Sequence, residues 1–191
     1  MKVLFIHGLA SSGAYKTANT LRTLLRPCTV ISPDVPPEPY EALEMLEGIC
    51  REEKPDLIVG LSLGGFWAQK LRGYRKILIN PDFHVDRLLR TMTGEVRYLS
   101  PRLDGAVSFT VTEDMCDAYE ALAETEFDGL DETEISLTDG FFADEDELVH
   151  CGDEFESHYP GKGHTYPGKH LPTFPEIKFH ILPAAGFKDL L

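Results

Sequence analysis

Gly60-Leu61-Ser62-Leu63-Gly64 places a serine midway between two glycines. A serine hydroxyl is a weak nucleophile until a base takes its proton, and the base in turn needs an orienting acid. Both residue types follow further along the chain. Phe141-Phe142-Ala143 runs into Asp144, Glu145, Asp146 and Glu147, and beyond them lie His158, His164 and His170. Serine, then carboxylate, then histidine is an order in which acyl-transfer triads occur.

The G-x-S-x-G pattern alone arises often by chance, so its setting decides its weight. Here it follows the apolar run Leu57–Val59 and opens a helical pattern, Leu63–Leu71. That is the setting of a sharp strand-to-helix turn that lifts a serine above a sheet edge. Such a turn holds the serine backbone in a costly conformation, and side chains two positions either way would collide across it. Gly60 and Gly64 remove those side chains, and Gly65 lets the helix pack closely.

Acyl transfer builds negative charge on the substrate carbonyl oxygen, and each backbone N–H aimed at it contributes on the order of 3 kcal/mol. The N–H of Leu63, at the start of the helix after Ser62, is one candidate. The N–H of Leu9, in the loop after the first apolar run, is the other. His7 in that loop reads as structural.

The acid should sit in a turn after a late strand. Asp146 precedes one residue and then the apolar pair Leu148-Val149, which can anchor the next helix; this favours it, with Asp144 the alternative and a merely solvated acidic turn the competing reading. Among the histidines, His158 falls on a helix. His164 leaves only Pro160-Gly161-Lys162-Gly163 before it. His170 has the run Gly163–Tyr166 as its strand, a Pro167-Gly168 turn, and then a capping box at Thr173-Phe174-Pro175-Glu176. His170 is therefore favoured, with His164 still open. The spacing of these histidines and Asp153 fits no ligand pair on a helix or hairpin, so no metal is expected.

These groups need a scaffold. Val3–Ile6 reads as a buried strand, Ala14–Leu25 as a helix and Thr29–Ile31 as a second strand. Tyr40–Glu53 reads as a helix, Leu57–Val59 as a third strand and Ile77–Ile79 as a fourth. Strands alternating with helices across short connections imply a parallel sheet with helices on both faces, and continuous apolar strands fit that burial. Residues from about 84 to 130 are acidic and irregular, and read as an inserted cap over the C-terminal edge of the sheet. Order returns with a strand over Leu137–Phe142 (weakened by Gly140), a helix over Leu148–His158 and a last helix from about Thr173.

The chain has 191 residues, 42% of them hydrophobic and 26% charged, enough for one domain spanning 1–191. The formal net charge of −14 disfavours nucleic acid and anionic membrane surfaces as partners. Nineteen of the 32 acidic residues lie between Leu103 and Gly161, a stretch without Lys or Arg. It reads as a solvated face, or as a lid that disfavours anionic substrates. Cys28, Cys50, Cys116 and Cys151 form no CxxC pair and read as reduced thiols. The apolar run at the N-terminus is too short for a signal-peptide core or a membrane span, so residence in the cytoplasm is the expectation.

The segments Leu4-Phe5-Ile6-His7-Gly8-Leu9-Ala10-Ser11-Ser12-Gly13, Ser32-Pro33-Asp34, Leu57-Ile58-Val59-Gly60-Leu61-Ser62-Leu63-Gly64-Gly65-Phe66 and Ile77-Leu78-Ile79-Asn80-Pro81 resemble the compact YqiA-type esterases of the α/β-hydrolase superfamily. The likeness is dense over roughly the first 80 residues, sparse through the insertion, and returns at the acidic turn and the Pro-Gly-x-His segment. Two departures stand out: two histidines, His164 and His170, where the family pattern needs one, and Ala143 where glycine is more usual. The resemblance implies a compact α/β-hydrolase fold with a small cap, and hydrolysis of small carboxylic acyl esters without a cofactor. In that reading Ser62 attacks, His170 takes its proton, Asp146 orients the imidazole, and Leu9 and Leu63 hold the oxyanion. A thioesterase with the same triad and a non-catalytic binding protein of the same fold are the rivals. Oligomeric state stays open.

Overall fold

The computed structural model describes residues 1–187. Strand and helix alternate as the apolar pattern requires: β1 (Lys2–Ile6), α1 (Lys16–Leu24), β2 (Thr29–Ile31), α2 (Pro39–Glu53), β3 (Leu57–Leu61), α3 (Leu63–Lys70) and β4 (Lys76–Ile79). An insertion carries α4 (Val85–Arg90), β5 (Gly94–Arg97), β6 (Ser108–Val111) and α5 (Glu113–Glu124). The chain then returns through α6 (Glu132–Leu137), β7 (Thr138–Ala143), α7 (Gly152–His158) and β8 (Gly163–Tyr166). A last helix, α8, opens with Phe174–Glu176, widens into a π-helical stretch at Ile177–Ile181 and closes with Leu182–Ala184.

Among the described residues, six strands form one sheet in the order β2-β1-β3-β4-β7-β8. Every pairing in it is parallel. Successive strand residues face opposite sides, which splits the core in two. Leu4, Ile6, Ile58 and Leu78 pack with Leu46 of α2 and with Phe66 and Trp67 of α3. Val3, Phe5, Val59 and Ile77 pack on the other face with Leu21 of α1 and with Ile177 and Ile181 of α8. Burial on both faces is why these strands read as unbroken apolar runs.

The insertion is more regular than its composition suggests. β5 and β6 pair as an antiparallel hairpin. On α4, Val85 and Leu89 join the core beside Met115, Cys116 and Tyr119 of α5. Arg90 of α4 also reaches Glu113, Asp117 and Glu120 of α5 at 3.2, 2.7 and 2.6 Å. Solvent screens exposed pairs of this kind, so apolar packing carries the join. The segment after β5 is laid over the loop after β1: the Leu99 N–H donates to the Ala10 carbonyl (2.7 Å) and Ser100 Oγ meets Ser12 Oγ (2.9 Å).

One expectation needs correcting. The helix expected over Leu148–His158 begins only at Gly152. The Leu148 and Val149 amides are taken by the Asp146 side chain, which gives the backbone an alternative to helix. Gly140, which weakened the strand over Leu137–Phe142, sits within β7 for a packing reason. A Cβ there would stand 2.7 Å from the Phe155 ring of α7.

Candidate active site

Ser62 forms the turn from β3 into α3, at φ 55° and ψ −121°. That is a strained region for a residue with a side chain, and it is held from several sides. The Ser62 N–H donates to the Ile79 carbonyl (2.9 Å), and its own carbonyl accepts from Gly65 (2.7 Å). A Cβ on Gly60 would lie 2.2 Å from the Gly64 carbonyl oxygen, the collision across the turn that the sequence implies. Gly64 is required for a different reason: its Cβ would lie 2.0 Å from the Ile6 carbonyl oxygen on β1. At Gly65 a Cβ would come 2.6 Å from the Cβ of Pro81. Two glycines thus let neighbouring strand ends close on the serine.

His170 and Asp146 meet over this turn. His170 Nδ1 lies 2.8 Å from Asp146 Oδ2. A carboxylate only accepts, so Nδ1 carries the proton and the Nε2 lone pair is left for a partner. Asp146 Oδ1 accepts from Leu148 N (2.8 Å) and Val149 N (3.1 Å), so backbone donors fix the carboxylate on its other side. Ser62 and His170 line the same two cavities.

The alternatives fall elsewhere. Asp144 Oδ1 accepts from Gly168 N at 3.0 Å and so supports the loop that carries His170. His164 Nε2 pairs with Asp139 at 3.2 Å, and the ring stacks on Phe141. It opens on a separate cavity beside Phe179 and His180. His158 stacks on Phe127, ring centroids 3.9 Å apart. The structure therefore gathers Ser62, Asp146 and His170, and leaves Asp144, His164 and His158 in supporting positions.

Leu63 is the first residue of α3, where helix amides have no intrahelical acceptor. Leu9 lies in the loop after β1 and shares a cavity with Ser62. That loop passes directly against the serine: a Cβ on Gly8 would be 3.3 Å from Ser62 Cβ. Among the described residues, no hydrogen bond occupies the Leu9 or Leu63 N–H. His7 anchors the loop from beneath. Its Nδ1–H donates to the Gly8 carbonyl (2.8 Å) and its Nε2 accepts from Val35 N (3.0 Å), which fixes a neutral tautomer. Burial pushes its pKa down to about 4.

The two cavities differ in chemistry. One, of about 280 Å³, is walled by Leu88, Met92, Val96, Leu99, Leu148 and Leu171. The other, of about 480 Å³, presents Asp82, His84, Arg87 and His150. Burial raises the Asp82 carboxyl above the usual carboxylate range, against the pull of the His84 N–H and of the nearby His84 and His170 side chains. Apart from Leu148, the sequence singles out none of these wall residues, because they come from the insertion and from loops that only the fold brings together.

Asn80 is also missed; the sequence marks Asn80-Pro81 only as the end of the fourth strand. It is 1% exposed, at φ 43°. Its side chain bonds to Ala143, Tyr166 and the His170 carbonyl. The available signal is the residue type: asparagine is among the few residues with a side chain that tolerate positive φ.

The model of an uncharacterised protein family, UPF0227, matches residues 2–107. Solved structures share the fold at low identity. A metagenome-derived lipolytic enzyme is 16% identical with a TM-score of 0.63, covering 96% of this chain and 91% of its own. The esterase domain of a Rhodothermus marinus protein is 16% identical with a TM-score of 0.64, covering 97% and 85%. The methylesterase MES16 from Arabidopsis is 12% identical with a TM-score of 0.63, covering 98% and 99%. Their sheets and helices match an α/β-hydrolase fold here. Among the described residues, no helix is long and apolar enough to cross a membrane.

Proposed function

The chain belongs to the UPF0227 family, and on that premise we propose that it is a serine hydrolase acting on small carboxylic acyl esters. The observation that carries this reading is the strained Ser62, which lines two cavities together with a His170 imidazole already paired to Asp146. Ser62 Oγ adds to the ester carbonyl as His170 Nε2 takes its proton, and the Leu9 and Leu63 amides receive the oxyanion. His170 then gives the proton to the departing alcohol. Water, deprotonated by the same nitrogen, adds to the acyl-serine, and collapse of that adduct releases the acid and restores Ser62. Asp146 holds the imidazole in the required tautomer throughout.

The apolar cavity takes the acyl chain and the polar one the alcohol. A cavity of about 150 Å³ holds the six carbons of benzene, so about 280 Å³ accommodates an acyl group of roughly ten carbons. The test is labelling of purified protein with a fluorophosphonate, beside Ser62→Ala, followed by a panel of esters and thioesters. Labelling lost in the variant supports the reading, and the panel separates ester from thioester substrates. Folded wild-type protein that takes up no probe overturns it in favour of a binding protein.

A further inference from the structure

We propose that Asn80 is the positioning residue that holds the His170 loop in register with the nucleophile turn and the acid turn. This rests on the esterase reading of Ser62 and His170. Asn80 follows β4 directly, and β4 with the loop after it braces the serine: Ile79 accepts the Ser62 N–H and Asp82 N donates to the Ser62 carbonyl at 3.2 Å. From this fixed point the Asn80 side chain reaches in two directions. Oδ1 accepts from Ala143 N (2.8 Å), the last residue of β7 and three before Asp146. Nδ2 donates to the His170 carbonyl (2.8 Å) and to Tyr166 Oη (2.9 Å), with Lys169 O further away at 3.4 Å. The Asn80 N–H donates to Phe141 O at 2.8 Å.

One buried amide therefore ties the acid and base segments to the strand end whose Ile79 carbonyl holds the serine turn. Its chemistry is matched to the task. Ala143 N needs an acceptor and the His170 carbonyl needs a donor, and a carboxamide offers both within one rigid plane. Aspartate has the same shape and tolerates the same backbone, yet it offers no N–H to the His170 carbonyl. Asn80 touches no reacting atom in this geometry; it acts through the placement of the imidazole.

The test uses the full chain with a p-nitrophenyl ester of a short acyl group. Asn80→Asp and Asn80→Ala are compared with wild type, Tyr166→Phe and Asp146→Asn. A displacement of the base by about an ångström can cost on the order of a hundredfold, so kcat is expected to fall about 10- to 100-fold in Asn80→Asp with KM within about twofold. Tyr166→Phe keeps the bond to His170 and should lose less. Because the role runs through the His170–Asp146 pair, Asn80→Asp should cost much less in an Asp146→Asn background. Additive losses in that cycle, an unchanged kcat, or a change confined to KM would overturn the role. If Asn80→Ala fails to fold, Asn80→Asp alone decides. Wild-type protein that neither labels nor hydrolyses removes the esterase reading itself; labelled wild type with an unimpaired Asn80→Asp removes only the role of Asn80.

Discussion

His170 and Asp146 are joined by a 2.8 Å hydrogen bond whose carboxylate partner is locked from behind by two backbone amides. Both side chains are largely buried, 11% and 3% exposed. Neither can turn away without leaving a buried polar group unpaired, so the imidazole is set in place before any substrate arrives.

Asp146→Asn keeps the shape but removes the acceptor-only character that fixes the tautomer. If the proposed mechanism holds, kcat should fall by about 10³- to 10⁴-fold, the loss known for Ser-His-Asp triads, with the fold intact by circular dichroism. Asp144→Asn and His164→Gln should each retain activity within about tenfold on the same assay. A larger loss in either than in Asp146→Asn would reassign the acid or the base.

Gly64→Ala drives a methyl group into the Ile6 carbonyl, which is part of the sheet backbone and cannot move aside. Overpacking against backbone should cost at least about 3 kcal/mol, a drop in Tm of roughly 6–12 °C for a chain of this length. Gly48→Ala on α2 meets only the far end of Arg51, at 3.8 Å. That change should leave Tm unchanged or raise it, since alanine favours helix by up to about 1 kcal/mol.

The buried His7 predicts an acid-side loss of stability. Its folded pKa of about 4 lies below the ordinary value of 6.5, so the unfolded chain binds its proton first. The stability it contributes is complete above pH 6.5 and is lost as pH falls through 4, by about 3 kcal/mol in total. Glu126, pushed up to about 8 by burial, acts in the opposite sense: its contribution is complete below pH 4.5 and is lost as pH rises through 8. Comparing wild type with His7→Gln cancels Glu126. In urea melts the gap between the two proteins should narrow from pH 7 to pH 4; a constant gap would show that His7 does not titrate this way.

Met92 lines the apolar cavity, and Met92→Trp should fill much of it. On p-nitrophenyl esters of increasing chain length, the variant should keep activity on acetate and lose kcat/KM on octanoate by tenfold or more, since each buried methylene is worth about 0.8 kcal/mol. An unaltered chain-length profile would place the acyl group in the polar cavity instead.

Much of the fold is legible because its signals are local. Apolar runs at β1, β3 and β4 stand between amphipathic helices, and a parallel sheet buried on both faces is the arrangement they permit. Ser62 is legible for a similar reason, since the elbow carries its own glycines. Asp146 is favoured by the apolar pair after it, although the same carboxylate then shortens the helix expected there. The hairpin of β5 and β6 is not legible, because its short strands are only half-buried and are specified by each other across ten intervening residues.

The sequence by itself determined the layered sheet, the glycine-flanked turn that carries Ser62, and the carboxylates and histidines that follow it, since periodicity and steric demand act between near neighbours. Tertiary structure decided which histidine shares cavities with Ser62, which two cavities those are, and that the Asn80 side chain joins the Ala143 and His170 segments. Those outcomes depend on contacts between residues up to 90 positions apart. Only the assembled sheet fixes such distances, and no pattern along the chain encodes them.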